Sequence, residues 1–160
     1  MPDTNEAALR SAVAAFNDPQ DREGYLKLYA PDVLLHGYPR GVAGLEGARS
    51  FYSQLWEAFP DARLEVDDVI AADDRLAARY RLSGVQARDF YGAPGTGEAT
   101  TVDGIAWLRF RDGQAVEVWQ VSGTLDTLTR LTARAAEART RPSASAEAAA
   151  LRWQERHPDD

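Results

Sequence analysis

At 160 residues, with no cysteine and a formal net charge of −7, the chain is sized for one domain with its own core, and it excludes disulfides, thiolate metal sites and cysteine nucleophiles. Its arginines are scattered among carboxylates, which opposes nucleic-acid binding because that needs clustered positive charge. The acidic start Met1-Pro2-Asp3-Thr4-Asn5-Glu6 is unlike a secretory signal, and no apolar run approaches the ~20 residues of a membrane span; a cytoplasmic protein with neither nucleic-acid nor membrane partners is expected.

Thr4 or Asn5 caps a first helix that carries Leu9, Val13 and Phe16 at helical spacing and stops at Asn17-Asp18-Pro19. A second short helix is predicted over about 21–29. Pro31-Asp32 then turns the chain into an apolar strand, Val33-Leu34-Leu35-His36-Gly37-Tyr38, that delivers His36 and Tyr38 at its far end, both facing the same way along an extended chain. After a loop over 39–47 comes a helix with Phe51, Tyr52, Leu55, Trp56 and Phe59 on one broad face, stopped by Pro60. Such a stripe serves as ordinary core, or as the wall of an apolar cavity for a flat organic molecule.

Residues 63–70 and 75–83 alternate about the turn Ala71-Ala72-Asp73-Asp74 and read as an antiparallel pair, with Leu76, Ala78, Tyr80 and Leu82 inward. Asp68 is in phase with Leu64, Val66 and Ile70, which turns it to the interior unless a bulge at Asp67-Asp68 throws it outward. The Gly- and Pro-rich segment 89–97, which contains Tyr91, is expected to form a rim over the cavity.

Two further strands, over about 100–111 and 114–123, flank Asp112-Gly113. A two-residue loop would mix polar and apolar side chains on both faces. A three-residue loop with Gly113 left-handed instead places Ala106, Leu108, Phe110, Val116, Val118, Gln120 and Ser122 inside, with Trp107, Arg109, Glu117 and Trp119 outside, and a consistent buried face selects that register. Helical segments through about 139 and over 146–157 follow, interrupted by Pro142-Ser143-Ala144-Ser145. The chain is thereby divided into a domain over 1–140 and a linker with a short helical tail over 141–160.

The order of two helices, a strand ending in His36, a Gly44-Leu45-Glu46-Gly47 turn into a helix and four strands resembles the SnoaL-like polyketide cyclases of the nuclear-transport-factor-2-like superfamily. The segments Ala15-Phe16-Asn17-Asp18, Ala58-Phe59-Pro60-Asp61, Gly92-Ala93-Pro94-Gly95-Thr96-Gly97 and Arg109 to Trp119 support it. The resemblance implies an α+β fold, a curved antiparallel sheet packed by N-terminal helices around a cone-like cavity. It implies aldol ring closure with an Asp just after the last-strand tryptophan as acid/base, often with a His on the neighbouring strand. This chain has Gln120 and about Ala106 there, and an amide exchanges no proton near neutrality. Steroid-isomerase relatives need a first-helix Tyr and a first-strand Asp, where this chain has about Ala12 and Gly37.

The expected function is therefore a cofactor-free cyclase or related acid/base enzyme of specialised metabolism, including antibiotic biosynthesis, acting on a small hydrophobic polyketide-like substrate. An epoxide-opening cyclase or hydrolase and a non-catalytic binding or scaffold protein stay open beside it. His36, whose type titrates near pH 6.5, is the candidate acid/base, with Tyr38, Gln120 and Asp68 as further catalytic candidates. Phe16, Tyr52, Trp56, Tyr80, Tyr91, Leu108, Phe110 and Val118 are the candidate substrate-binding residues. No cofactor is expected, and no metal, because the two histidines lie far apart without ligand-spaced carboxylates. The outer face with Trp107, Arg109, Glu117, Trp119, Arg79 and Arg81 is expected to make a homodimer.

Overall fold

The first helix, α1 (Pro2–Phe16), lays Leu9, Ala12 and Phe16 into the core. Its end is fixed by Asn17, whose side chain both donates to the Leu64 carbonyl (2.8 Å) and accepts from the Leu64 amide (2.7 Å), so that the turn after α1 is tied to a strand 47 residues away. The computed structural model describes residues 2–123 together with positions 133, 136 and 137. The predicted tail over 141–160 and the helices after residue 123 therefore lie outside the described residues, apart from those three positions.

A 3-10 helix, Arg22–Leu28, takes the place of the predicted second helix and runs directly into β1 (Tyr29–His36). Helix α2 (Gly44–Ala58) buries Ala48, Phe51, Tyr52, Leu55, Trp56 and Ala58 as its stripe requires. Strands β2 (Arg63–Ala72), β3 (Arg75–Val85), β4 (Ala99–Arg111) and β5 (Gln114–Ser122) complete a curled five-stranded sheet of order β1-β5-β4-β3-β2. β1 runs parallel to β5 and the other pairings are antiparallel. The expected α+β architecture is present, with the core between the helices and the inner face of the sheet.

Two irregularities decide which side chains face that core. The β4–β5 hairpin closes through two residues, Asp112 (φ 51°) and Gly113 (φ 79°), with Arg111 opposite Gln114. Both central residues are left-handed, as a type I′ turn demands, so the three-residue loop predicted from patterning is corrected. A bulge then steps the pairing from Phe110↔Ala115 to Arg109↔Glu117, which restores Leu108↔Val118 and Ala106↔Gln120. The inward set is thus the expected one, except that Ala115 is fully buried and Val116 is the bulged residue. In β2 a second bulge separates Val66↔Tyr80 from Asp68↔Arg79. It turns Asp68 outward, where it bonds the Val69 amide, and leaves Ile70 70% exposed.

Candidate functional site

Between α1, α2, the 3-10 helix and the inner sheet face lies a cavity of about 110 Å³. Leu9, Val13 and Phe16 close it from α1, Phe51, Tyr52 and Leu55 from α2, and Ala78, Leu82, Ala106, Leu108 and Val118 from the sheet. An apolar void of this order holds a small aromatic ring. Its polar lining consists of neutral groups: Tyr25, Tyr29, Tyr38, Tyr52, Tyr80, Ser83, Thr100 and Gln120. Among the described residues no carboxylate, imidazole or cation lines it.

Four of the phenols form one hydrogen-bonded cluster. Tyr25 and Tyr29 stand four residues apart across the junction of the 3-10 helix and β1, with hydroxyls 2.7 Å apart. Tyr52, from the aromatic stripe of α2, lies 3.2 Å from each and 2.8 Å from Tyr38. Edge-on ring contacts, such as Tyr25 to Tyr52 at 4.8 Å and Tyr38 to Phe51 at 5.3 Å, hold the rings in place. Burial pushes all four hydroxyls above the ordinary phenol range, most strongly in Tyr29 and Tyr52, where the neighbouring phenols add to it. On the sheet side of the cavity Tyr80 donates to Gln120 Oε1 at 2.9 Å, and burial raises Tyr80 to about 12. These groups are hydrogen-bonding partners near neutrality, not bases.

Of the sequence-predicted residues, Phe16, Tyr38, Tyr52, Tyr80, Leu108, Val118 and Gln120 line the cavity. The placement expected for His36 is corrected. Val33 is buried on β1, so alternation sends Leu34 and His36 to the opposite, outer face. There the imidazole stacks on Trp119 (4.4 Å, 13° between planes) and meets Glu117 Oε1 at 3.0 Å, while Arg109 holds the other carboxylate oxygen at 3.0 Å. Burial acts to raise Glu117, but hydrogen bonds from Arg109 and His36 outweigh it and hold the carboxyl below its usual range.

His36 and Tyr38 do not share a face, because Gly37 takes φ +83° and flips the following residue inward. Asp68 lies on the outside of the β2 bulge. Trp56 is buried behind the wall against Phe16 and Tyr52, with an indole N–H that finds no partner among the described residues. Phe110 is packed in the core outside the lining. Tyr91, at φ 45°, is 39% exposed, and its ring covers Phe51 and Phe90 without reaching the cavity.

Sequence patterning did not point to Tyr25 and Tyr29. The available signal was their spacing, two phenols one helical turn apart in Tyr25-Leu26-Lys27-Leu28-Tyr29, immediately before an apolar strand. No group of three or more potential metal ligands occurs among the described residues, and none of their helices is long and apolar enough to cross a membrane.

The model of the family described as SnoaL-like polyketide cyclase matches residues 7–131. Among solved structures the chain is similar to AclR from Streptomyces galilaeus, provisionally assigned as a hydroxylase, at 30% identity and a TM-score of 0.71, over 82% of this chain and 97% of that one. A SnoaL-like polyketide cyclase candidate from Jannaschia sp. CCS1 is 26% identical over 82% and 94% of the two chains, with a TM-score of 0.67. IdmH from Streptomyces antibioticus, a candidate polyketide cyclase, is 28% identical over 79% and 97%, with a TM-score of 0.64. No curated protein matches.

Proposed function

Because this chain belongs to the SnoaL-like polyketide cyclase family, we propose that its cavity takes a ring-sized portion of a hydrophobic polyketide-like molecule and promotes ring closure, or a related enolisation, by confinement and hydrogen bonding. The observation that carries this reading is the lining itself: apolar and aromatic walls with a few convergent neutral polar groups. Confinement brings the reacting carbons of a flexible chain together, which by itself supplies a large part of a cyclisation barrier. The Gln120 amide, with its oxygen already taken by Tyr80, presents N–H donors to a carbonyl on which negative charge develops. The proton that moves belongs to an acidic C–H of the substrate and passes to solvent or to a second substrate oxygen, because the described lining holds no group that titrates near neutrality.

Epoxide opening would use a carboxylate at the oxirane, and the candidate Asp68, against the Val69 amide on the outside of the β2 bulge, lends that reading no support. A binding protein without catalysis is the second reading, favoured by the same absence of an acid/base among the described lining residues. Incubation with a linear aromatic β-ketoester, with bound ligand and product both followed by mass spectrometry, separates them. Conversion above the buffer rate supports the first reading, binding without conversion supports the second, and absence of binding refutes both.

We further propose homodimerisation through the outer sheet face. Leu34, Ile105, Trp119 and Val121 are exposed there, beside ion pairs that join Arg81 to Glu65, Asp67 and Asp103 and Arg109 to Glu117. Sedimentation of the wild type against Val121→Glu tests it, with a monomeric wild type as the refuting result.

A further inference from the structure

A phenol has one proton to donate and two lone pairs that accept, and in the four-tyrosine cluster this count orders the four bonds once the direction of one is set. Tyr25 donates to Tyr52. The Tyr25–Tyr29 bond must then take its proton from Tyr29, the Tyr29–Tyr52 bond from Tyr52, and the Tyr38–Tyr52 bond from Tyr38. Tyr52 accepts twice and is saturated, and Tyr25 and Tyr29 each accept once. Tyr38 donates once and accepts in none of these four bonds. The Tyr29 hydroxyl is also a hydrogen-bonding neighbour of Tyr38, and a bond from it would still leave Tyr38 one of its two lone pairs. All four line the cavity, and Tyr38 is the most exposed of them. The opposite polarity stands beside it. Tyr80 has given its proton to Gln120 Oε1, which leaves the Gln120 amide as donor. Gly37, next to Tyr38, is so close to Gln120 that an added Cβ would fall 1.9 Å from the Gln120 backbone oxygen and 3.4 Å from its Cγ.

We propose that the Tyr38 hydroxyl is the cavity's acceptor for a ligand O–H, opposed by the Gln120 amide as donor to a ligand carbonyl, so that the site selects hydroxyaryl ketones and enols of the same polarity over their O-alkyl ethers. This rests on the reading that the cavity takes a small molecule, but not on turnover. A hydroxyl carried into an apolar cavity without an acceptor loses its hydrogen bonds to water, whereas its methyl ether is the more hydrophobic of the two and loses less. Without Tyr38 as acceptor the ether is the tighter ligand, and with it the order reverses. A carbonyl placed at Tyr38 meets lone pairs instead, unless the bond to Tyr52 is broken.

The test is calorimetric titration of 2-, 3- and 4-hydroxyacetophenone and their three O-methyl ethers into the wild type and into Tyr38→Phe, which keeps the ring packed on Phe51. The wild type is expected to bind at least one hydroxy isomer ~10-fold or more tightly than its ether. Tyr38→Phe is expected to bring that ratio to twofold or less, or to invert it, with the ether's affinity unchanged. Equal or ether-favouring binding by the wild type overturns the proposal while leaving the cavity a ligand site, and this comparison stands whether or not the variant folds. A preference that survives in folded Tyr38→Phe overturns the role of Tyr38. Failure of all six compounds to bind overturns the cavity reading, and the proposal with it.

Discussion

Gly37 is the residue on which the inward turn of Tyr38 depends, and Gly37→Ala perturbs it in two separable ways. Its φ of +83° lies in the left-handed region, where an L side chain costs ~1–2 kcal/mol. The added Cβ would also fall 1.9 Å from the Gln120 backbone oxygen, a strand atom that cannot rotate away, so β1 and β5 must separate at their pairing or the turn must open. Overpacking of this kind costs a further ~1–3 kcal/mol. The total, about 2–5 kcal/mol, corresponds to a fall in Tm of about 6–15 °C for a chain of this size. Gly41→Ala is the matched control, because Gly41 has φ +89° but open space where the methyl would stand, with nothing within 4 Å. It should show the conformational penalty alone, ~1–2 kcal/mol. The assay is urea unfolding followed by circular dichroism, with the two variants compared at equal m-value. A Gly37→Ala variant no less stable than Gly41→Ala would show that the close approach to Gln120 is absent in solution, and the inward placement of Tyr38 would lose its support.

His36→Ala should leave turnover of any substrate the cavity converts within about twofold, because the imidazole stands on the outer face against Trp119 and Glu117; a loss of ~100-fold, the size of a general acid/base effect, would place the chemistry outside the cavity. Glu117 is held below its usual pKa in the folded state, so the stability it contributes is complete above the unfolded carboxyl value and is lost as pH falls through the lower folded one. The stability gap between the wild type and Glu117→Gln, measured by denaturation from pH 7 to pH 3, should therefore close on acidification, and a gap independent of pH would refute the Arg109 and His36 pairing. All six tyrosines are raised above 10, with Tyr80 at about 12. A spectrophotometric titration at 295 nm should show fewer than half of them ionised at pH 10.5 until the protein unfolds. Because the folded phenols bind protons more tightly than the unfolded ones, stability falls as pH climbs past 10, and six phenols titrating together near 10 in the folded protein would contradict the burial of the cluster.

What the sequence determined by itself is what depends on local periodicity. The stripe Phe51, Tyr52, Leu55, Trp56 and Phe59 specified α2 and its buried face, and the alternation of Leu76, Ala78, Tyr80 and Leu82 specified the inner side of β3. The inner set of Leu108, Val118 and Gln120 followed from the demand for one apolar face, although the two-residue turn and bulge that deliver it differ from the loop expected. Side-chain parity fails wherever the backbone departs from ideal extension by one residue, and the site lies at such departures. The bulge in β2 sent Asp68 outward, and the left-handed Gly37 parted His36 from Tyr38. The phenol cluster was beyond any local pattern for another reason: its members come from the 3-10 helix, the start of β1, the turn after β1 and α2, and hydroxyls drawn from four segments meet only once burial has left them no partner but one another.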